Sequence, residues 1–252
     1  MIDALVSKLN HCTTLTNEDV NVLQKSIVKV IDLNKQANIE RETVKSQFVH
    51  LQVEGWACRY KTLENGSEHI VGFLLPGDMS DVHATILDQM DHSIRALTPT
   101  KVALIPQERI FHIYRHCPNL TRALFWSTLV DESTLREWLV NQGSRPAVVR
   151  LAHLYCEMLM RSRAAGLTKD YSFPMPLTQE ELGNTTGLTK VHVNRSIRQL
   201  RMQEMIEINH KSVTILDWER LRTFGEFDTT YLHMPSVAEE LSTQTMGRLP
   251  SA

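Results

Sequence analysis

The segment from Leu177 to Arg201 constrains the fold of this chain more than any other part of the sequence. Thr178 and Glu181 have the spacing of a capping box, in which the hydroxyl accepts an amide of the first turn and the carboxylate accepts the amide of the capping residue. A helix is therefore predicted to begin near Gln179. Thr189 can cap a second helix. Two short helices joined by a tight turn describe a helix-turn-helix, which predicts DNA binding.

The turn between these two helices is predicted from its glycines. Gly183 and Gly187 bracket the residues Asn184-Thr-Thr186, whose types turn the chain more readily than they continue a helix. The second helix is predicted to span residues 190–202, directly after its cap.

The second helix has one apolar side and one basic side. Val193, Ile197 and Leu200 follow the i, i+4, i+7 spacing of a buried stripe. The segment from Thr189 to Met202 contains no acidic residue. Its cations are Lys190, Arg195, Arg198 and Arg201. Cations attract DNA phosphates, so the basic side is the predicted reading face. An ordinary solvated surface helix has a similar pattern and is the alternative.

A predicted strand pair after the second helix favours DNA binding over that alternative. Residues 205–208 and 212–216 alternate in polarity around a short turn at 209–211, as the strands of a hairpin do. A hairpin in this position is the wing of a winged helix-turn-helix.

Residues from about 145 to 221 resemble the winged module of the Crp/Fnr family of bacterial transcription regulators. The most specific stretches are 177–182 and 193–200. The resemblance implies base contacts from one set of side chains, namely Lys190, Val191, Asn194 and Arg195. It implies phosphate contacts from Thr178, Gln179 and His192. The complete predicted DNA-binding set is Thr178, Gln179, Thr189, Lys190, Val191, His192, Asn194, Arg195 and Arg198.

Val191 departs from the pattern of this family, in which many members carry glutamate. A carboxylate can accept a hydrogen bond from cytosine N4, whereas valine offers only an apolar contact, for example to a thymine methyl. The operator is therefore expected to differ at that base pair, unless Val191 is an ordinary surface residue. Arg195 is the best candidate for a bidentate contact to guanine.

Residues from about 45 to 106 show strand-like rather than helical periodicity. Apolar and polar residues alternate over 49–54, and Asn65-Gly66 supplies a hairpin turn. Many short strands predict a sandwich or small roll. The segment resembles the cyclic-nucleotide-binding jelly roll of the same family, whose middle matches Phe73 to Asp78. Residues 1–36 are predicted to be helical.

The roll departs from the cyclic-AMP-binding pattern. In members that bind this nucleotide, a Gly-Glu pair holds the ribose and an Arg-Ser-Ala run holds the phosphate. The matching residues here are Asp81-Val82 and His92-Ser-Ile94. Losing the arginine removes a charge-assisted fork to the phosphate, and Asp81 adds an anion nearby. Control by cyclic AMP is therefore not expected, but Arg95 could restore a cation, so a cyclic-nucleotide-responsive regulator is one alternative.

Residues 119–141 place apolar groups nearly all round a predicted helix, so the helix must be covered on every side. The resemblance implies the dimer helix of the family, and a central helix in a monomer is the alternative. The predicted dimer-helix contacts are Leu124, Leu135 and Trp138. Gly143-Ser-Arg-Pro146 is the predicted hinge. A two-fold dimer predicts a palindromic operator.

The predicted fold class is α+β. Its segments are an N-terminal cyclic-nucleotide-binding-like β jelly roll (1–116), a dimerisation helix (117–143), a C-terminal winged helix-turn-helix (144–221) and a C-terminal tail (222–252). After Tyr231 the tail is expected to be disordered or loosely attached.

Other function classes have weak support in the sequence. No apolar run approaches a membrane span, and the first residues lack a signal-peptide pattern, so a cytoplasmic protein is expected. The cysteines, Cys12, Cys58, Cys117 and Cys156, are scattered, which separates the chain from iron-sulfur members. The overall layout of the chain resembles the alphaproteobacterial subset of the family, which includes the FixK-like regulators. Histidines His50, His69, His83 and His92 leave a cupin-like metalloenzyme as a remote alternative, without the usual His-x-His pair.

The expected function is sequence-specific transcription regulation rather than catalysis. Expected partners are double-stranded DNA with a palindromic operator, a second copy of the chain and RNA polymerase, with no membrane. No cofactor or metal is expected, and no motif names a small-molecule effector.

Overall fold

The N-terminal half contains two antiparallel four-stranded sheets. The computed structural model describes residues 1–80, 82–87 and 89–234. The strands are β1 (Lys29–Leu33), β2 (Asn38–Glu40), β3 (Phe48–Glu54), β4 (Ala57–Thr62), β5 (Glu68–Leu74), β6 (Met79–Ser80), β7 (Ser93–Ala96) and β8 (Thr100–Pro106). One sheet has the order β1-β8-β3-β6 and the other β2-β7-β4-β5, and together they form the jelly roll.

Helices flank the roll and form most of the C-terminal half. They are α1 (Asp3–Leu9), α2 (Asn17–Ser26), α3 (Gln107–His116), α4 (Pro118–Ser144), α5 (Ala147–Ala164), α6 (Gln179–Thr186), α7 (Lys190–Met202) and α8 (Trp218–Phe224). A three-stranded sheet of order β10-β11-β9 completes this half, with strands β9 (Ser172–Pro174), β10 (Ile206–Asn209) and β11 (Ser212–Ile215). The predicted jelly roll, long helix and winged helix-turn-helix are confirmed. In the described part of the chain, no helix combines the length and apolarity that crossing a membrane requires.

The N-terminal segment is helical over a shorter range than predicted. Thr16 and Asp19 form the capping box that begins α2. The prediction of helix over all of residues 1–36 is wrong, because residues 29–33 pair with β8 as strand β1. The apolar residues of β1 are stabilised by a strand far away in the sequence, which local periodicity does not reveal.

The long helix α4 divides its apolar residues between two sides. Leu124 and Trp138 are 0% and 5% exposed within their own chain, and Trp138 lies edge-on to Phe73 of the roll at 5.6 Å between ring centroids. The prediction that these two residues face a partner is therefore wrong, because the roll and α5 already cover them. Leu135, the third predicted contact, is 47% exposed.

The C-terminal segment is packed rather than loosely attached over its first part. Phe227 and Leu232 are buried in the core that the winged half shares with α4. The loose attachment expected after Tyr231 is therefore wrong at Leu232, whereas the boundary at residue 222 stays a prediction. The remaining predicted tail, residues 235–252, lies outside the described residues.

Candidate nucleic-acid interface

The first helix of the motif begins as predicted. The hydroxyl of Thr178 accepts the amide of Glu181 at 3.1 Å, and the Glu181 carboxylate accepts the amide of Thr178 at 2.7 Å. This reciprocal pair satisfies two amides that have no partner inside the helix. The N-terminus of α6 is therefore held in one place.

The same helix continues one turn further than predicted. Thr185 and Thr186 donate their hydroxyls to the carbonyls of Glu181 and Leu182, each at 2.7 Å. Both threonines are buried and have their hydroxyl groups satisfied along the helix, so they extend α6 to residue 186. The prediction that residues 184–186 form the turn is wrong. Gly187 ends the helix instead, with a left-handed φ of 66°.

Gly183 allows the turn to pack against α6. A Cβ at this position would lie 2.5 Å from the carbonyl oxygen of Leu188. We therefore expect Gly183→Ala to lower the free energy of unfolding by about 1–3 kcal/mol, through overpacking against backbone. Gly143→Ala is the control, since a Cβ there meets nothing within 4 Å. Urea denaturation of both variants measures this effect, and equal stabilities would contradict the close packing.

The second helix has the predicted boundaries and the predicted buried side. Thr189 caps α7 by accepting the amide of His192 at 3.4 Å. Val193 and Leu200 are fully buried, while Ile197 is half-buried. The side chains of this stripe pack α7 onto α5 and α6. The opposite side of α7 consequently points to solvent.

Nearly all of the predicted DNA-binding side chains lie on exposed surface. Thr178 and Val191 are exposed, Val191 by 67%, and Gln179 is half-buried at the start of α6. The exposed residues of α7 and its cap include Thr189, Lys190, His192, Asn194, Arg195, Arg198 and Arg201. Within the described residues, no carboxylate forms an ion pair with the four cations of α7. Their charge is therefore available to an external anion such as a phosphate.

The wing exposes further residues that are not among the predicted DNA-binding residues. β10 and β11 pair in register from Ile206–Ile215 to Asn209–Ser212. The tip between them exposes His210 and Lys211, and His210 has a positive φ of 52°. The basic turn in the middle of a predicted hairpin was the available signal.

A cavity of about 430 Å³ lies between the roll and part of α4. Its polar lining includes Arg59, Lys61 and His92 of the roll, Asp131 of α4 and Arg161 of α5. Arg59 pairs with Asp131 at 3.2 Å, and Arg161 pairs with a buried carboxylate at 2.9 Å. The cations of the lining are thus neutralised by the protein's own carboxylates.

Arg95, which could replace the missing phosphate-binding arginine, does not line this cavity. Arg95 instead forms a bidentate pair with Glu68 at 2.8 and 2.9 Å and covers the ring of Tyr60. His92 does line the cavity, where its ring hydrogen-bonds to Asp91 at 2.7 Å. Asp81, matched to the ribose-binding pair, lies outside the described residues.

The side chains that could hold a metal are dispersed. Over the residues that the structure describes, no three His, Cys, Asp or Glu side chains form a cluster suited to a metal ion. His50 is buried beside Ser80, and the thiols of Cys58 and Cys156 are buried and free. Burial raises the pKa of the Cys58 thiol to about 12, which keeps it protonated and unreactive.

Both halves of the chain match models of known protein families. The Crp-like helix-turn-helix domain matches residues 149–224, and the cyclic nucleotide-binding domain matches residues 30–117. The transcriptional activator protein FnrL of Cereibacter sphaeroides is 28% identical over 181 residues, or 70% of this chain and 72% of that protein. The nitrogen fixation regulation protein FixK of Bradyrhizobium diazoefficiens is 27% identical over 188 residues, 73% of this chain and 76% of that protein.

The fold is also similar to a solved structure. The structure of FixK2 from Bradyrhizobium japonicum superposes with a TM-score of 0.70 at 22% identity, and the match covers 78% of this chain and 96% of that one.

Proposed function

Because this chain belongs to the Crp/Fnr family of bacterial transcription regulators and is FixK-like within it, we propose that it binds a palindromic DNA operator as a homodimer, without control by cyclic AMP. The family consists of transcription regulators rather than enzymes. We also propose that the protein acts in the cytoplasm and that RNA polymerase is a further partner.

The observation that carries the proposal is the outward face of α7. It combines exposed cations that form no ion pair with any described carboxylate, an exposed amide at Asn194 and an exposed apolar group at Val191. An α-helix fits the major groove, where arginine can fork onto guanine and asparagine onto adenine. Phosphate contacts from the start of α6 and from the wing would fix the orientation of α7.

The dimer is proposed from the uncovered side of α4. Phe125, Leu129 and Leu139 are 65%, 43% and 74% exposed, and they lie within about 80° of one another on the helix. Leu135 and Val140 border this stripe and are also exposed. An isologous contact between two copies of α4 would cover the stripe and relate two α7 helices by a two-fold axis.

Independence from cyclic AMP is supported by the paired charges of the cavity. An arginine already engaged by a carboxylate must give up that partner before it can bind a cyclic phosphate. A cyclic-nucleotide-responsive regulator is the second candidate, because a cavity is present and the roll matches the nucleotide-binding family model.

Selection of bound sequences from a random duplex pool tests both candidates. The purified protein is used once without additives and once with cyclic AMP. We expect the same palindromic motif in both selections. Enrichment only with the nucleotide would support the second candidate, and recovery of no sequence at all in either selection would contradict the proposed function.

The role of Arg195 is tested on the recovered operator. Arg195→Ala is expected to weaken operator binding by about 1–3 kcal/mol while barely changing binding to unrelated DNA, as a lost base contact does. Arg201→Ala, at the far end of α7, is the control and is expected to weaken binding to all sequences alike. Titrations at one fixed salt concentration provide the comparison, and a uniform loss for Arg195→Ala would contradict base reading.

A further inference from the structure

The segment from Glu226 to Met234 crosses the junction between the two halves of the molecule. We call it the C-terminal strap. It follows α8 and lies beyond residue 224, where the match to the Crp-like helix-turn-helix domain ends. Phe227 and Leu232 of the strap are 3% and 1% exposed. The strap therefore lies outside the matched range, and two of its side chains are buried in the core of this chain.

The strap is bound to α5 through polar and aromatic contacts. The hydroxyl of Tyr231 donates to Oε2 of Glu157 at 2.9 Å, and the Glu157 side chain is completely buried. The ring of Tyr231 stacks on that of His153, with 5.9 Å between centroids, and Phe227 meets the same His153 ring edge-on at 5.3 Å. A buried carboxylate is costly unless hydrogen-bonded, so the Tyr231 hydroxyl contributes to the stability of this arrangement.

The same carboxylate also binds α4, on the other side of the hinge at residues 145–146. Oε2 of Glu157 accepts the indole N–H of Trp138 at 2.8 Å as well as the Tyr231 hydroxyl. The turn Thr230–Leu232 packs directly against α4. One buried oxygen atom thus joins α4, α5 and the strap.

A second contact holds the hinge residue itself. Arg145, between α4 and α5, pairs with Glu137 of α4 at 2.7 Å and with Glu226 of the strap at 3.2 Å. The Arg145 side chain is only 11% exposed. The hinge is therefore connected both to the helix before it and to the strap.

We propose that the C-terminal strap fixes the angle between α4 and α5, so that the reading face of α7 is held in its DNA-binding position without a bound effector. The inference rests on the proposed function, because the spacing of two α7 helices matters only in a dimer on DNA. In the strapped arrangement the face of α7 is open to solvent. Ordering the hinge in advance reduces the entropy lost on binding, and this strengthens binding.

Two C-terminally truncated chains, both compared with the full-length protein, test the strap. A chain ending at Gly225 lacks the strap, and a chain ending at Met234 retains it and serves as the matched control. Hydrogen exchange is measured at the backbone amides of residues 143–145 and 147–150, since Pro146 has no N–H, and affinity is measured on the selected operator and on unrelated DNA. We expect the shorter chain to show faster hinge exchange and about tenfold weaker operator binding, with little change on unrelated DNA. The control is expected to match the full chain.

Tyr231→Phe keeps the test decisive if the shorter chain does not fold. The substitution retains the ring that packs on His153 and removes only the hydroxyl, which hydrogen-bonds to Oε2 of Glu157 at 2.9 Å and to Nε2 of His153 at 3.2 Å. We expect faster hinge exchange and about threefold weaker operator binding. Unchanged hinge exchange in Tyr231→Phe and in any folded shorter chain would overturn the proposal. If the full chain binds no DNA, the proposed function fails, but the exchange measurement still decides whether the strap fixes the hinge.

Discussion

Arg161→Met is expected to lower the free energy of unfolding by about 3–5 kcal/mol, because it leaves the buried Glu157 carboxylate without its cation and removes one of the two cations that pair with Asp78. Arg161, on α5, donates to Oδ2 of Asp78 at 2.9 Å, to the carbonyl of Phe73 at 2.7 Å and to Glu157 at 3.3 Å. Its side chain is 12% exposed, that of Asp78 is 10% exposed and that of Glu157 is inaccessible. Methionine would fill a similar volume but provide neither charge nor donors.

Asp78 has a second cationic partner, which still stabilises its carboxylate when Arg161 is replaced. Burial alone would raise the pKa of Asp78, but Lys8 and Arg161 together lower the pKa to about 2. This depressed pKa stabilises the fold above the unfolded value of about 3.9, and the contribution is lost as the pH falls toward 2. Removing Arg161 is expected to raise the pKa of Asp78 toward its unfolded value, so the variant should lose less stability between about pH 4 and pH 2 than the unmodified protein does.

Arg136→Met is the matched control for Arg161→Met. Arg136 pairs with Glu132 at the i, i+4 spacing that Arg161 has with Glu157, but both side chains are 60% exposed. An exposed pair of this kind contributes less than about 1 kcal/mol. Urea denaturation followed by tryptophan fluorescence compares the two variants at neutral pH. Equal losses would show that Arg161 is not a buried link between the roll and α5.

The sequence predicts the helix-turn-helix well because its signals are local. Thr178 and Glu181 are three residues apart, and Val193 and Leu200 are two helical turns apart. Such patterns depend on backbone geometry within one helix, so they hold in most tertiary surroundings. The boundaries of α7 and the hairpin of the wing were therefore predicted correctly.

The incorrect predictions concern residues whose partners lie far away in the sequence. Tyr231 is half-buried and its hydroxyl reaches a carboxylate 74 residues earlier, although the surrounding composition is typical of a tail. Residues 29–33 become a strand because they pair with β8. On α4, periodicity identifies apolar positions but cannot assign Trp138 to the side packed on the roll or Phe125 to the exposed side. Only the packed structure distinguishes these two sides.

Phe125→Glu is expected to abolish the proposed dimer, so that the variant is a monomer at micromolar concentration. Phe125 is 65% exposed in the single chain and lies in the stripe with Leu129 and Leu139. The substitution removes an apolar side chain from the proposed seam and, because the two-fold axis repeats every change, places two like charges close together. Like charges in an interface cost several kcal/mol, so the dissociation constant should rise by at least about 100-fold.

Leu63→Glu is the control, because Leu63 is a similarly exposed apolar residue, 56% exposed, in the β4–β5 hairpin far in sequence from α4. Sedimentation velocity over a dilution series should show the control dimerising as the unmodified chain does, while Phe125→Glu sediments as a monomer. The monomer should also lose affinity for the palindrome but retain binding to a half-site, since the face of α7 is unchanged. A Phe125→Glu protein that remains dimeric at the lowest concentration would place the dimer contact elsewhere than on this stripe, and the spacing of the two reading helices would then have to follow from another surface.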